Sequence, residues 1–409
     1  MKKITVNGGI RLFGEIEPQG SKNAALPIIF ATLITRGVST VRRVPDIGDV
    51  RIALRIIRGL GASVERCGNT LFIDTTELSY TQPDGSLTSA IRASSYLIGA
   101  CLSRFGEIHI SDIGGCNFCN RPIDMHLYAA RALGATERGG RLVAEKLRGA
   151  ELYFEKVSVG ATMNALLLSA SAEGETVIRG AAREPHVCAL IDFLRSAGAD
   201  ITESGSTLTV RGRELAGGDI TVIGDMIEAG TYLLLALMTD GKITVKGAAR
   251  LGLESFFAPL SEGGIKFFYD GDDVTVSGAP DGELAVCTSP YPGYPTDLQP
   301  QIAPVMANFF GGRITETVWQ NRFSYLNSLS AFGVKSDTTP SFARIYPSFL
   351  KSATVTAPDL RGGAAALLCA LSARGKSEIN FAEIIERGYS DISGKLASLG
   401  AEIKICEEN

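Results

Sequence analysis

The 409-residue sequence predicts a mixed α/β protein of two domains built from six copies of one small unit, and three observations carry that reading. A helix that is apolar on most of its faces and ends in a glycine turn recurs through the whole chain. A second helix, stopped by a Leu-Gly-Ala-like triplet and followed by an alternating hairpin, recurs beside it. The length itself exceeds what one hydrophobic core usually organises, so two domains are expected.

The first landmark runs Ala24 to Arg36 with Gly37, Arg92 to Phe105 with Gly106, and Ala161 to Glu173 with Gly174. It returns as Gly230 to Asp240 with Gly241, Gln301 to Gly311 with Gly312, and Gly362 to Arg374 with Gly375. The second is Leu60-Gly61-Ala62, Leu133-Gly134-Ala135 and Ala197-Gly198-Ala199, with looser copies at Gly263-Gly264-Ile265, Phe332-Gly333-Val334 and Leu399-Gly400-Ala401. Both recur at roughly 68 residues, so six periods take up nearly the whole chain. A glycine in the triplet suits a left-handed helix cap, which ordinary side chains resist. Each unit therefore reads helix, glycine turn, strand, helix, glycine cap, strand, turn, strand. Runs such as Asn164 to Ala172 and Tyr232 to Met238 have no polar face and are expected inside their domain. The sixth unit ends on Glu402 to Cys406, one strand short, while the chain opens on a lone alternating strand, Ile4 to Val6. Pairing the two ends closes the pattern. The expected lobes are residues 22–224 and residues 1–21 plus 225–409, three repeats in each.

Composition narrows the function classes. The formal net charge is only −4 and no run of lysine and arginine forms a stripe, so nucleic acid is not an expected partner. No apolar stretch approaches the ~18 residues of a membrane span, and Met1 to Val6 enters a strand pattern without a signal-peptide core. A cytoplasmic protein with no membrane partner is expected. The eight cysteines are scattered rather than spaced as a framework and are expected as free thiols. Cys101 and Cys369 fall in apolar helical runs and are expected to pack as small hydrophobes.

One loop breaks the repeat. Gly114-Gly115-Cys116-Asn117-Phe118-Cys119-Asn120-Arg121-Pro122 inserts a polar, glycine-rich segment before the helix that begins near Ile123. A thiol there, five residues before an arginine and near a helix start, has the surroundings that lower a thiol pKa and make a nucleophile or proton donor. An ordinary exposed loop cysteine is the other reading. Cys116 and Cys119 lack a second cysteine or histidine pair, and only His109, His126 and His186 exist, so no metal site is expected.

Lys22, in Gly20-Ser21-Lys22-Asn23, sits at the start of an apolar helix, where free N–H groups favour an anion; a solvated lysine beside a cap is the alternative. Lys156, in Lys156-Val157-Ser158-Val159-Gly160, opens the third such helix in the same style. Asp297 and Asp359 begin the corresponding helices of the fifth and sixth units, where capping is the default role. Arg322 and Arg387 stand in the loops that follow, and several guanidinium forks together suit a multiply charged substrate. Gly375-Lys376-Ser377 imitates a phosphate loop, but Ala370 stands where that loop needs glycine. There is no dinucleotide fingerprint.

Taken in order, GSKNAALPI from Gly20, the triplet at Arg92, GGCNFCNRPIDMH, KVSVGAT, AAREP, PTDLQPQ, TETVWQNRF, the Asp359-Leu360-Arg361 triplet and Arg387-Gly388-Tyr389 span essentially the full chain. This ordered set resembles the UDP-N-acetylglucosamine enolpyruvyl transferase (1-carboxyvinyltransferase) family. The resemblance implies a two-domain inside-out α/β barrel of six βαβαββ-type units, three per domain. It also implies transfer of the enolpyruvyl group of phosphoenolpyruvate to the 3-hydroxyl of UDP-N-acetylglucosamine, the committed step of peptidoglycan synthesis, with both substrates bound between closing lobes and no metal or organic cofactor.

By the same resemblance Lys22, Arg121 and Arg387 hold phosphoenolpyruvate, with Arg92, Arg322 and Arg361 adding charge nearby. Cys116 matches the thiol that adds to phosphoenolpyruvate, takes part in proton transfer and is alkylated by fosfomycin. Asp297 matches the base at the sugar hydroxyl. Asn23, Lys156, Ser158, Val159, Gly160, Val318 and Asp359 fall in the substrate-binding set, and Pro122, Asp124 and Met125 join Arg121 on the uridine diphosphate side. Gly48, Ser89, His186 and Met226 depart from the family pattern. Two other functions therefore stand beside the main one: the sister transferase acting on shikimate phosphate, which lacks the cysteine loop, and a binding-only or regulatory paralogue.

Overall fold

The computed structural model describes residues 2–109 and 122–407. They form two compact units, one of residues 20–109 and 122–223 and the other of residues 2–19 and 224–407, called here the N-terminal and C-terminal lobes.

The third repeat shows the plan in full. Strand Glu151–Tyr153 leads to helix Val159–Ser169, strand Glu175–Arg179, helix Pro185–Ser196, and the hairpin of Asp200–Ser204 and Thr207–Arg211. The first two strands run parallel, Leu152 opposite Ile178. The second pairs antiparallel with the fourth, Val177 opposite Thr209, and the fourth with the third. The same spatial order, first, second, fourth, third, recurs in the fifth repeat with Leu284–Cys287, Gly312–Thr315, Phe342–Tyr346 and Lys335–Thr338.

Three repeats borrow a strand from elsewhere in the chain. The first takes its leading strand from Asp219–Thr221, at the far end of its own lobe, parallel to Val38–Arg42. The fourth takes Phe13–Ile16, parallel to Lys242–Val245. The sixth takes its closing strand from Lys2–Gly8, antiparallel to both Gly375–Asn380 and Glu402–Glu407, with Ile4 opposite Ile379 and Ile405. The second repeat has three strands among the described residues.

Each lobe buries three helices, one per repeat. In the N-terminal lobe these are α1 (Lys22–Ala31), α2 (Leu97–Phe105) and α3 (Val159–Ser169). In the C-terminal lobe they are α4 (Met226–Met238), α5 (Gln299–Asn308) and α6 (Leu360–Ser372), which pack on one another. Every side chain is buried from Ala24 to Ala31, from Ala161 to Ser169 and from Ile227 to Met238. A helix apolar all round has no face to give to water, so the sheets and outer helices enclose it; each fully buried Leu or Ile there contributes about 1.5–3 kcal/mol. Gly99 brings α2 against α3: a Cβ on it would stand 2.8 Å from Cβ of Leu167. Cys101 and Cys369 have no exposed surface, and burial pushes the Cys101 thiol up to about 12, so both are packing residues.

The glycine stops behave as one motif repeated six times. Gly61, Gly134, Gly198, Gly264, Gly333 and Gly400 all take φ between 86 and 106°. In each copy the residue after the glycine donates its N–H to the carbonyl five residues back, as from Ala62 to Ile57 and from Ala401 to Leu396. That is the Schellman geometry, and it satisfies carbonyls the helix end would leave bare. The turn after the first landmark is less uniform: Asp240 and Gly311, not Gly241 and Gly312, carry the positive φ in the fourth and fifth repeats. Among the described residues no helix is long and apolar enough to cross a membrane.

Candidate active site

In the C-terminal lobe the polar groups converge on Asp297. It lies in the single turn Thr296–Leu298 that leads into α5, and its side chain caps nothing there. One carboxylate oxygen accepts from Arg322 Nη2 at 2.7 Å; the other accepts from Arg361 Nη2 at 3.0 Å and Nε at 3.3 Å. The Arg322 and Arg361 side chains are only 5% and 8% exposed, so this carboxylate offsets part of the cost of burying two cations. Burial alone would depress the Arg361 pKa, but Asp297 and neighbouring groups outweigh it and raise the value.

Each partner is itself held. Arg322 follows Asn321, which takes the left-handed φ of 62° that asparagine tolerates better than most residues, and it donates a second bond to the Thr296 hydroxyl at 2.6 Å. The Thr296 hydroxyl in turn donates to Glu316 at 2.8 Å. Glu316 is buried, and it also accepts from the Thr288 hydroxyl and the N–H groups of Val318 and Trp319 at 2.8–2.9 Å. A buried carboxylate with four donors is fully satisfied, and it fixes the loop that carries Val318. Arg361 is the second residue of α6, whose cap is Asp359: that carboxylate accepts from the N–H groups of Arg361 and Gly362. Beneath it the buried Tyr389 hydroxyl meets Thr231 at 3.1 Å, Gln301 at 3.4 Å and Arg361 at 3.5 Å. Gln19 clamps the Arg387 segment: its amide donates to the carbonyl of Gly388 and accepts from the N–H of Ser390, both at 2.7 Å, and leaves Arg387 half-buried.

The N-terminal lobe holds a second constellation. Lys22, the first residue of α1, pairs with the buried Asp49 at 2.6 Å, and Asn23 beside it is half-buried. Arg92 begins a short 3-10 turn, Arg92–Tyr96, that runs into α2. Its charge reaches the buried His126, whose pKa is pushed down to about 4, first by burial and then by Arg92, against the pull of Asp124. Ser158 caps α3 by accepting from the N–H of Ala161 at 3.3 Å, which leaves Val159 and Gly160 as the first helical residues. Asp124 and Met125 start the helix Asp124–Ala132; Met125 is partly buried against the core, whereas Asp124 and Pro122 are exposed.

Two expectations need correction. Asp297 is an ion-pair residue, not a cap, because two arginines 25 and 64 residues downstream compete successfully for its carboxylate; Asp359 does cap. Lys156 does not open its helix as Lys22 does: it is exposed and precedes the first helical residue, Val159, by three positions. Cys116 and Arg121 lie outside the described residues. Sequence reasoning missed Glu316, Thr296, Tyr389, Gln19, His126 and Asn164 as supporting groups. Thr296 and Glu316 sit inside motifs already singled out, so the signal was adjacency; for Gln19 there was none.

This chain is 41% identical over 98% of its length, and 99% of the relative's, to UDP-N-acetylglucosamine 1-carboxyvinyltransferase 3 of Caldanaerobacter subterraneus subsp. tengcongensis. It belongs to the UDP-N-acetylglucosamine 1-carboxyvinyltransferase family. A UDP-N-acetylglucosamine 1-carboxyvinyltransferase of Clostridium botulinum is 40% identical, with 98% of this chain and 99% of that one covered. The family model described as EPSP synthase (3-phosphoshikimate 1-carboxyvinyltransferase) matches residues 6–396. Among solved structures, the enolpyruvyl transferase NikO from Streptomyces tendae superposes with a TM-score of 0.89 at 25% identity, covering 100% of this chain and 99% of that one. The six βαβαββ units in two lobes are thus the inside-out α/β barrel of these transferases.

Proposed function

We propose that this protein transfers the enolpyruvyl group of phosphoenolpyruvate to the 3-hydroxyl of UDP-N-acetylglucosamine, releasing phosphate, as a cytoplasmic enzyme of peptidoglycan synthesis. Full-length family membership carries the reading, and the paired Asp297 supports it chemically. An ionised carboxylate is purely an acceptor, so it can take a hydrogen bond, and then the proton, from a substrate hydroxyl. In the proposed reaction Asp297 takes the proton of the sugar 3-hydroxyl while its oxygen bonds to C2 of phosphoenolpyruvate. A proton added at C3 completes a tetrahedral ketal. Phosphate then leaves C2, C3 gives its proton back, and the enol ether remains.

Cys116 is assigned to proton transfer at C3 and to reversible addition to phosphoenolpyruvate. Lys22, Arg121 and Arg387 are assigned to its phosphate and carboxylate, with Arg92, Arg322 and Arg361 adding positive charge. Fixed cations of this kind stabilise charge that grows in the transition state, worth roughly 3–4 kcal/mol for one well-placed donor. Asn23, Lys156, Ser158, Val159, Gly160, Val318 and Asp359 are assigned to the sugar nucleotide, with Pro122, Asp124 and Met125 on its uridine side.

Phosphate release with each acceptor tests the reading. UDP-N-acetylglucosamine should support turnover that Cys116→Ser abolishes or slows sharply. Preference for shikimate 3-phosphate sinks the assignment of substrate. Tight binding of the sugar nucleotide without any phosphate release establishes a binding-only paralogue instead, the reading that the departures at Gly48, Ser89, His186 and Met226 favour. Gly48 opens the helix that carries Asp49 and adds no cation beside the Lys22–Asp49 pair, whereas Ser89 is exposed and Met226 packs on the core.

A further inference from the structure

Gln19 is buried, at 8% exposure, and its main chain and side chain grip two different parts of the C-terminal lobe. Its N–H donates to Glu228 Oε2 at 2.5 Å and its carbonyl accepts from the N–H of Asp225 at 2.9 Å, which ties its main chain to the start of α4. The side chain reaches the other way, to the carbonyl of Gly388 and the N–H of Ser390. A carbonyl can only accept and a backbone N–H can only donate, so the amide has one allowed orientation. The N–H groups of Gly388 and Tyr389 already turn back to the carbonyl of Ile385, at 3.0 and 3.1 Å. Gln19 therefore supplies partners that the short helix Glu383–Glu386 does not.

Glu228 makes the grip firm. It is the third residue of α4, its side chain has no exposed surface, and its carboxylate takes donors from three separate stretches. Lys395 Nζ at 2.7 Å and the Tyr232 hydroxyl at 2.8 Å meet Oε1, while Oε2 takes the Gln19 N–H. Lys395 belongs to the helix Ile392–Ser398, which follows the Arg387 segment. A buried ion pair adds little stability over apolar side chains of the same size, so its use here is geometric: it leaves Gln19 one placement against α4. The segment is also fixed from beneath. The Tyr389 hydroxyl meets Thr231 and Arg361, and a Cβ on Gly388 would stand 2.6 Å from Cδ2 of Leu360 in α6.

We propose that Gln19 is a positioning residue for the phosphoenolpyruvate anion: anchored on Glu228, it sets the main chain from which Arg387 reaches the substrate. The inference rests on the function proposed above, in which Arg387 binds that anion. A guanidinium on a flexible stem is only as well aimed as the main chain that carries it, and a misplacement of about 1 Å is costly at a reacting centre.

Gln19→Met keeps a side chain of similar length and removes both of its hydrogen bonds. In the full-length enzyme it should raise KM for phosphoenolpyruvate about five- to tenfold, the worth of about one hydrogen bond, and leave KM for UDP-N-acetylglucosamine within about twofold. Equal effects on both substrates, or none on phosphoenolpyruvate, overturn the proposal. A double-mutant cycle with Arg387→Lys separates positioning from plain packing. If Gln19 acts through Arg387, Gln19→Met should change KM for phosphoenolpyruvate by less than about twofold in the Arg387→Lys background; an undiminished effect there shows a structural role only and rejects the proposal. Glu228→Gln, whose single oxygen cannot serve both Lys395 and the Gln19 N–H, should move the same KM in the same direction, and an unchanged value rejects the anchor. Where Gln19→Met fails to fold, Gln19→Asn, one methylene too short to span both bonds, takes its place with the same expectations. If the wild type releases no phosphate, the reaction assigned above fails by itself. Calorimetric titration of phosphoenolpyruvate onto wild type and Gln19→Met, with UDP-N-acetylglucosamine present, then decides this point; equal affinities, or no binding to either, reject it.

Discussion

Asp297→Asn should damage both activity and stability, by mechanisms the structure separates. The substitution keeps shape but removes the negative charge between two guanidiniums that are 5% and 8% exposed. Breaking a buried pair by deleting one partner typically costs about 3–5 kcal/mol. The asparagine oxygen can keep one of the contacts, and Asp297 itself is 27% exposed, so about 3 kcal/mol is the working figure. A lobe of this size shifts its midpoint by roughly 2–4 °C per kcal/mol, which gives a fall of about 6–12 °C. The sole tryptophan, Trp319, lies three residues before Arg322 and donates its N–H to Glu316, so its fluorescence follows this lobe during heating. Loss of the base should lower kcat by about 10²–10⁴-fold. A midpoint within 2 °C of wild type would show that the arginines do not need the carboxylate. A kcat within about tenfold of wild type, in a protein that remains folded at the assay temperature, would remove Asp297 from the proton transfer.

Three further outcomes follow from the same geometry. Lys22→Met should lower phosphate release strongly and destabilise the N-terminal lobe by about 1–3 kcal/mol, because Asp49 is 5% exposed and loses a cation at 2.6 Å; an unchanged KM for phosphoenolpyruvate would take Lys22 out of the anion site. Acid should weaken the N-terminal lobe through His126, which faces Arg92 and Asp124: with its folded pKa near 4 against an ordinary 6.5, its contribution is complete above pH 6.5 and drains away as pH falls toward 4, by about 3 kcal/mol at most. Hydrogen exchange of α3 amides against pH would detect this, and the same slope in His126→Asn would refute it; the buried Glu228 of the other lobe, raised by desolvation, acts in the opposite sense. Fosfomycin should form its adduct on Cys116, as the assigned nucleophile, and not on the buried Cys101 and Cys369 or on the exposed Cys67, Cys287 and Cys406; peptide mass spectrometry that finds the label on Cys119, on one of these, or nowhere, contradicts the assignment.

The repeat was legible because glycine is nearly the only residue that accepts a left-handed cap cheaply, and a requirement repeated six times leaves six marks. The inner helices were legible for a similar reason: a helix without a polar face can go only inside. The turns after the inner helices left no such uniform mark, since in the fourth and fifth repeats the positive φ falls on Asp240 and Gly311, one residue before the recurring glycine. The candidate site was legible residue by residue but not as an arrangement. Nothing local to Asp297 distinguishes a cap from an ion pair; the distinction is made by Arg322 and Arg361, which only tertiary folding delivers. The hydrogen bond between His126 and Asn164 joins two helices 38 positions apart and left no periodic trace.

The borrowed strands set an order on biosynthesis. Among the described residues, every strand that the N-terminal lobe uses lies within residues 20–223, so that lobe can close once Asp219–Thr221 has left the ribosome. Residues 2–16 emerge before any of it, yet their partners are Lys242–Val245, Gly375–Asn380 and Glu402–Glu407. Residues 2–16 are therefore made long before the strands that pair with them, and the C-terminal lobe stays unsealed until Glu402–Glu407 has been synthesised.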